Sequence, residues 1–400
     1  MTLPLSSKRI ATSLLHVGKH WWVPLLVGAV AIAAKPAFGA SSSTQLELRV
    51  AIEENVSEVQ VGSSTDTLLR DGSGQVLAQI PAMGAMMAIA DGNRVEINDW
   101  EASQIWVEPT GGGYVFIGDK WYRGRVLVVP TGAGITAVNY VDLDEYLYSV
   151  VGGEMPTSWP LEALKAQAVA ARTYALYQRQ NSANTVFDVG DTTDWQVYDG
   201  IEDETQSTQM AVNQTAGQVL TYDNQLIEAV FHSSSGGHTE NVEDVWSTAL
   251  PYLRGVQDFD QGAPVYEWQE TLSASQLQSL APNIGNITGL EAVETTPTGR
   301  ISRLRIIGDA GTKELDSDDF RHALNLRSTL FIITPQYRPV ASAGSLPTVP
   351  VSFQLTGRGF GHGLGLSQWG AHNLAEAGYS YDQILLHYYT DSILSLIQVE

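Results

Sequence analysis

The pattern of apolar residues changes near Asp142, and this change constrains the fold more than any other feature of the chain. Before it, residues 45–52 alternate apolar and polar side chains, and residues 121–129 and 135–141 are rich in valine, tyrosine and tryptophan. Segments of this kind, separated by turns that contain proline or glycine, are typical of β-strands. We therefore expect residues 41–140 to form an antiparallel β unit.

The residues that follow are typical of helices. Residues 142–151 predict a short helix that ends at Gly152-Gly153. The clearest helical pattern runs from Pro160 to about Gln180, because proline suits a first helical turn and the alanines share one face. The sequence therefore predicts an α+β fold, with the antiparallel β unit packed on a mixed α/β core. A long alanine-rich helix is expected in that core, after Glu154-Met155-Pro156.

The same changes suggest where the parts of the chain begin and end. We expect a β-rich N-terminal part over 41–140 and a catalytic core over 141–260. An α+β insertion is then expected over 261–340, and a glycine-rich motif that completes the core over 341–400. Residues 341–350 are rich in serine, proline and glycine, which is typical of a connecting loop.

The N-terminus resembles an export signal. Lys8, Arg9 and Lys19 form a basic region, residues 21–34 carry no charge, and small residues at 37–40 offer a cleavage site. The uncharged run is short for a transmembrane helix, which needs about 20 residues. Residues 1–40 are therefore expected to be a signal peptide, with an uncleaved N-terminal membrane anchor as the alternative. Either form predicts an extracytoplasmic protein, in the periplasm or cell wall.

Charge and cysteine content exclude several classes of function. Removing residues 1–40, which hold four basic and no acidic residues, leaves 18 basic and 44 acidic residues, a net charge of −26. Such a field repels nucleic acid and anionic membrane surfaces. The chain has no cysteine, so neither disulfides nor cysteine-based zinc sites can form.

A glycine occupies every second position in residues 357–365. Alternating glycines allow the backbone to lie close to another backbone or to a ligand. The spacing does not meet the dinucleotide-binding pattern GxGxxG, because the third glycine is absent in every register. Upstream, residues 226–231 predict a strand that leads into the polar loop from His232 to His238.

Three segments together resemble the SpoIID/LytB family of bacterial cell-wall proteins. The first is residues 146–156 with the following 161–175, which contain Glu154-Met155-Pro156. The second is residues 231–240 with Val245-Trp246, and the third is residues 357–371 with His387-Tyr388-Tyr389. Some relatives carry cysteines near the second segment and bind zinc there, whereas this chain has Ser235 and no cysteine.

The resemblance implies a peptidoglycan lytic transglycosylase that acts on glycan strands already stripped of their peptides. Glu154 is at the position of the family's catalytic acid. A single carboxyl group suffices for such a reaction if it first gives and then takes a proton, and its pKa should then be raised. The alternative for Glu154 is a carboxylate that caps the next helix. The alternative for the protein is a glycan-binding module that stimulates a cell-wall amidase without cutting.

Further residues are candidates for binding the glycan strand. The polar ones in the second and third segments, together with one arginine on the long helix, are His232, Ser233, Ser235, His238, Arg172, His362, Ser367 and Gln368. Arg172 has a structural ion pair as its alternative. His232, His238 and His362 could also gather around a metal, but no tight ligand spacing supports this, so we expect no metal site and no cofactor. The expected partners are glycan strands and, in the second hypothesis, an amidase.

Overall fold

The computed structural model describes residues 46–182, 184–246, 248–337 and 349–397. The expected signal peptide, and residues 341–348 of the expected connecting loop, lie outside the described residues. Within the described ranges, no helix is long and apolar enough to cross a membrane. These ranges contain eight α-helices and twenty-four strands in several sheets, which confirms the α+β class.

Twelve strands account for most of the chain between Glu47 and Asp142. They are β1 (Glu47–Val56), β2 (Glu58–Ser63), β3 (Thr67–Asp71), β4 (Val76–Ile80), β5 (Met86–Asp91), β6 (Arg94–Ile97), β7 (Trp100–Ala102), β8 (Ile105–Pro109), β9 (Val115–Ile117), β10 (Lys120–Tyr122), β11 (Arg125–Thr131) and β12 (Gly134–Asp142). Neighbouring strands of this set pair antiparallel.

These strands form two sheets that share one core. One sheet has the order β1-β12-β11-β8-β3-β4, and the other has the order β10-β9-β2-β5-β6-β7. Strands such as β6 alternate exposed and buried residues, as expected where one face of an antiparallel sheet packs inward. Val61, Val107 and Val128 are fully buried members of the same apolar cluster.

Helix α1 (Leu143–Glu154) follows β12 directly and ends at the candidate acid. The Asp142 side chain caps it by accepting from the N–H groups of Asp144 and Glu145. The prediction that this helix ends at Gly152-Gly153 is wrong, because the helix continues through both glycines. A Cβ at Gly152 would lie 2.0 Å from the carbonyl oxygen of Asp203, so this glycine serves a close backbone approach.

Helix α2 (Leu161–Asn181) is the long alanine-rich helix, and thirteen of its residues are buried. The short pieces that follow it are β13 (Val189–Gly190), α3 (Gln206–Gln214), β14 (Gln218–Tyr222), β15 (Gln225–Leu226), β16 (Phe231–His232) and α4 (Val242–Val245). β13 pairs parallel with β1 and so extends the first sheet. Of the predicted strand at 226–231, only its two end residues lie in strands, one in β15 and one in β16.

The described residues between Glu267 and Arg358 have a hydrophobic core of their own, and from here on we call this part of the chain the insertion. Its elements are β17 (Glu267–Ser273), α5 (Ala274–Leu280), β18 (Ile287–Thr295), β19 (Ile301–Gly308), β20 (Thr312–Asp316), α6 (Ser317–Ala323), β21 (Phe331–Gln336) and β22 (Ser352–Arg358). They form two three-stranded sheets, ordered β17-β22-β21 and β18-β19-β20. Trp268, Phe320 and Phe353 are among the aromatic residues of this second core.

The C-terminal elements return to the first core. They are β23 (Leu366–Ser367), α7 (Gln368–Glu376), α8 (Tyr381–Tyr388) and β24 (Ile393–Leu396). Helices α7 and α8 both contact α2, and β24 pairs with β14. Gln368, at the start of α7, hydrogen-bonds to Glu154, so this arrangement brings the C-terminal elements to the candidate acid.

Candidate active site

The glycine-rich segment, residues 357–365, has a backbone that only glycine adopts readily. Gly359, Gly361, Gly363 and Gly365 have φ values of +79°, +108°, +82° and +67°. Each also lies against a neighbour: a Cβ would come within 2.7 Å of the Ser234 carbonyl oxygen at Gly359 and 2.1 Å of the Val230 carbonyl oxygen at Gly365. Conformation and close contact therefore both explain the alternating glycines.

The glycine-rich segment lies beside residues 232–240, which we call the Ser-Gly-Gly loop. Strands β16 and β23 pair parallel, so that Phe231 is opposite Leu366 and His232 is opposite Ser367. One residue further along, the N–H of Trp369 donates to the Ser233 carbonyl at 3.0 Å. Two of the three sequence segments are thus joined by backbone hydrogen bonds.

Glu154 connects the first sequence segment to this pair. The backbone N–H of Val197 donates to Glu154 Oε1 at 2.9 Å, and the Gln368 side-chain amide donates to Oε2 at 3.3 Å. Glu154 keeps partial exposure to solvent, while protein atoms surround its carboxyl group. The first and third segments therefore meet at this carboxyl group, and the second segment is joined to the third by backbone hydrogen bonds.

The surroundings favour the protonated form of Glu154. Burial raises the pKa of Glu154 above its ordinary value, and the hydrogen bonds from Val197 and Gln368 offset part of that rise. Val150, Val151 and Met155 supply apolar surroundings in the adjacent core. The position at the C-terminal end of α1, where the helix dipole is negative, also disfavours a carboxylate.

Glu154 does not cap the next helix. The N-cap of α2 is Pro160, and it has no side-chain cap hydrogen bond. The carboxyl group instead bonds to Val197 and Gln368, so the structure does not support the capping alternative.

Three aromatic rings form a cluster that includes Trp369, the neighbour of Gln368 in sequence. Trp159 lies 4.6 Å from Trp369 and 4.8 Å from His372, measured between ring centroids. All three residues are half-buried, and Trp369 directly follows Gln368. Half-buried aromatic side chains of this kind suit contact with sugar rings.

His232 presents a free acceptor within the site. Its Nδ1 donates to the Leu364 carbonyl at 3.0 Å, which leaves Nε2 as a lone-pair acceptor. The side chain is only 5% exposed, and Nε2 has no hydrogen-bond partner among the described residues. Burial lowers the pKa of His232 well below its ordinary value, so the ring is neutral. The Nε2 atom is also closed off from solvent, so its hydrogen-bonding capacity is unmet among the described residues.

His362 has a different arrangement. Its Nε2 donates to the Phe231 carbonyl at 2.9 Å, and its Nδ1 accepts from the Leu364 N–H at 3.0 Å. Burial lowers its pKa to about 4, so this ring is also neutral near pH 7. With both nitrogens occupied, His362 holds the loop that carries Leu364.

Two buried aspartates that the sequence analysis missed support the Ser-Gly-Gly loop. Asp258 accepts from Ser235 Oγ at 2.5 Å and from the Tyr388 hydroxyl at 2.6 Å. Asp260 accepts from Ser234 Oγ at 2.5 Å, and burial raises its pKa, with the charge of Asp258 adding to the rise. Carboxylates are common in surface loops, so only burial distinguishes this pair. Ser235 thus stabilises the loop through its buried hydrogen bond to Asp258.

The remaining candidates are placed as follows. Ser367 Oγ accepts from the Gly370 N–H at 3.2 Å and caps α7. Ser233 is half-buried beside Trp369, and its carbonyl accepts from that residue. His238 is exposed, and its Nδ1 lies 2.6 Å from the carbonyl of Thr239.

Arg172 is committed to internal contacts. It is 1% exposed, its Nη2 lies 2.9 Å from Asp144 Oδ1, and it donates to the carbonyls of Val212, Thr215 and Gln218. These bonds join α2 to α1 and to the end of α3. The structure therefore has the ion pair, and no side of this guanidinium is open to a glycan.

In the part of the chain that the structure describes, no three histidine, aspartate or glutamate side chains are grouped so that they could hold a metal ion. His232 and His362 lie 5.2 Å apart between ring centroids, but three of their four ring nitrogens face backbone groups.

Comparison with known proteins finds two family models that match this chain. The family model described as "Stage II sporulation protein" (SpoIID) matches residues 131–222, which include Glu154. A second model, described as a domain of unknown function (DUF8618), matches residues 243–365.

Three relatives are informative. The stage II sporulation protein D of Bacillus subtilis is 36% identical over 65% of this chain and 76% of its own length. An uncharacterized protein of Brachyspira hyodysenteriae is 35% identical over 70% of this chain and 73% of its own length. The amidase enhancer of B. subtilis is 33% identical over 62% of this chain, but the match covers only 40% of that protein. The chain therefore belongs to the SpoIID/LytB family.

Proposed function

We propose that this chain is a peptidoglycan lytic transglycosylase with Glu154 as its only acid–base group. The observation that carries the proposal is the carboxyl group of Glu154: protein surrounds it, burial raises its pKa, and it bonds to Gln368 of the third motif segment. A general acid needs a raised pKa to stay protonated near neutral pH.

The proposed reaction uses one proton twice. Protonated Glu154 donates to the oxygen that leaves C1 of N-acetylmuramic acid, and C1 becomes oxocarbenium-like. The carboxylate then takes the proton of the C6 hydroxyl of the same sugar, and O6 bonds to C1. The products are a 1,6-anhydro end and a free hydroxyl on the other fragment, without water. Both hydrogen-bond partners of Glu154 are amides, which fits a mechanism that needs no second carboxylate.

The substrate would be a glycan strand stripped of its peptides. His232 would contribute to binding through its place at the start of the Ser-Gly-Gly loop, since its Nε2 is closed off from solvent. Gln368 holds the acid, and Trp159 and Trp369 offer faces for stacking. Ser233 and His238, next along the Ser-Gly-Gly loop, would contact further hydroxyls of the strand. Ser235, His362 and Ser367 would act by holding their loops in place.

Such a substrate requires an extracytoplasmic protein, and we propose that residues 1–40 direct its export. The basic region and the short apolar run support this. N-terminal sequencing of protein from the cell envelope should find a mature start near residue 40. An intact N-terminus in the cytosol would contradict it.

A second function deserves the same test. The relative named amidase enhancer supports a role in which this chain binds glycan and stimulates a cell-wall amidase without cutting. Both functions use the same surface, so only product formation separates them.

Glu154→Gln tests both functions. The amide keeps the size of the side chain but cannot deliver a proton, so formation of 1,6-anhydro ends should fall by about 10²–10⁴-fold. Mass spectrometry of stripped glycan strands measures the products, and a pull-down on the same strands measures binding. We expect the variant to bind without cutting.

The matched control is Glu145→Gln, on the same helix and paired with Arg123. It should cut like the wild type. Binding by a wild type that never cuts would favour the amidase helper. Equal cutting by wild type and Glu154→Gln would remove Glu154 from the mechanism.

A further inference from the structure

One buried arginine of the insertion reaches into the first core. Arg300 follows the turn between β18 and β19, and it is 1% exposed. Its backbone N–H donates to Thr296 Oγ1 at 3.1 Å, and its carbonyl accepts from the Thr296 N–H at 2.7 Å. These two hydrogen bonds close the turn and so fix the backbone from which the Arg300 side chain extends.

The guanidinium contacts both loops of the candidate site. Nη2 donates to the Ser235 carbonyl of the Ser-Gly-Gly loop at 2.6 Å, and Nη1 donates to the Gly361 carbonyl of the glycine-rich segment at 3.3 Å. Space for it exists because residue 363 is glycine: a Cβ there would lie 2.5 Å from Nη2. One planar cation thus joins two loops that are far apart in sequence.

The positive charge has a buried partner. Arg300 Nε lies 3.4 Å from Glu240 Oε1, and Glu240 is also 1% exposed. Thr296 and Thr298, from the same turn, donate hydrogen bonds to Glu240 Oε1. Burial lowers the pKa of Arg300 to about 10, so it stays charged at neutral pH. The N–H of Glu240 donates in turn to the Gly363 carbonyl at 2.8 Å.

We infer that Arg300 is a positioning residue, through which the insertion holds the Ser-Gly-Gly loop and the glycine-rich segment in register beside Glu154. The glycine-rich segment leads within a few residues to Ser367 and Gln368, and Gln368 bonds to Glu154. The Ser-Gly-Gly loop begins at His232, opposite Ser367. This gives a role to the part of the chain that matches the domain of unknown function. The consequence for catalysis rests on the proposed function.

The test compares a double variant that removes both buried charges with a single variant that keeps them. Arg300→Met with Glu240→Gln removes both buried charges together, so no ion is left unpaired, and such replacements are often tolerated. Arg300→Lys keeps the charge near Glu240, but an ammonium group lacks the planar fork that reaches two carbonyls. Arg303→Met is the matched control, because Arg303 lies on β19 with an exposed side chain paired to Glu294 and Glu314.

Hydrogen exchange followed by mass spectrometry measures the loops without any activity. We expect the double variant to unfold at a temperature near that of the wild type, yet to exchange about tenfold faster at residues 233–237 and 361–369. Arg300→Lys should fall between the two, and Arg303→Met should match the wild type. Unchanged protection of both loops in a folded double variant would overturn the inference. If the double variant does not fold, Arg300→Lys decides in the same way.

Measuring activity then distinguishes a positioning role of Arg300 from general support of the fold. Misplacement by about 1 Å can cost about 10²-fold in rate, so kcat for 1,6-anhydro products should fall by about that factor while KM changes little. A folded double variant with wild-type kcat would also overturn the inference. If the wild type itself never cuts, the transglycosylase proposal fails, and the exchange measurement still decides whether Arg300 holds the loops.

Discussion

The environment of Glu154 is set by residues that are remote in sequence. Gln368 lies 214 positions away and still donates to its carboxyl group. The sequence identified both residues through the motif segments, but it could not show that they touch, because nothing local records a contact across such a separation. The same holds for Asp258 and Arg300, which only the folded chain reveals as buried supports of the loops.

Gln368 should tune the pH dependence of the proposed reaction. Its hydrogen bond lowers the pKa of Glu154, against the larger effect of burial, which raises it. Gln368→Leu removes the donor, so the pKa of Glu154 should rise further. Since the acid must be protonated, activity is present below that pKa and is lost as pH rises through it. The alkaline limb of the profile of kcat/KM against pH should therefore move to higher pH.

Gln354→Leu is the control for this measurement, because the Gln354 side chain bonds to Gln269 and Gln336 on the sheet of the insertion. Its profile should coincide with that of the wild type. An alkaline limb that stays in place in Gln368→Leu, or moves to lower pH, would show that another group controls it.

At the scale of single elements, the spacing of apolar residues predicted helices and strands better than turn-forming residues predicted where they end. The long helix was expected from Pro160 to about Gln180 and spans Leu161–Asn181. The end of α1 was misplaced because a glycine pair usually marks a stop, whereas here Gly152 allows the carbonyl of Asp203 to approach. The expected strand at 226–231 is mostly irregular, because only its last residue pairs with the distant β23.

Gly152→Ala should destabilise the protein even though alanine favours helices. The gain in helix propensity is about 1 kcal/mol. The added Cβ would lie 2.0 Å from a backbone oxygen that cannot rotate away, and overpacking of this kind costs typically about 1–3 kcal/mol, occasionally more. We expect a lower free energy of unfolding in urea denaturation.

Gly153→Ala, one residue further along α1, is the comparison. Its Cβ would meet side-chain atoms of Asp203 and Val197 at 3.0 Å, which can shift, and the Val197 carbonyl oxygen at 3.2 Å, well beyond the 2.0 Å at Gly152. The loss should be smaller than for Gly152→Ala. A Gly152→Ala variant as stable as the wild type would mean that the 3₁₀ turn at Gly200–Asp203 moves freely.

The described part of the molecule is organised around two hydrophobic cores. One includes both N-terminal sheets and the helices around α2, and the other belongs to the insertion. Polar contacts of Arg300 and Glu240 join the two near the candidate site. Strand-like and helix-like patterns in the sequence predicted the α+β class. They could not predict that β22, which precedes the glycine-rich segment directly, completes a sheet of the insertion.

Two cores predict two separable units of stability. Phe320 is 1% exposed in the second core, and Leu147 is fully buried in the first. Truncating Phe320 to alanine costs about 3–5 kcal/mol, and truncating leucine costs about 2–5 kcal/mol. Units with separate cores can open with separate free energies. Phe320→Ala should therefore speed hydrogen exchange in β18–β20 while the amides of α2 stay protected, and Leu147→Ala should do the reverse. Equal loss of protection in α2 with both variants would show that the two cores unfold as one.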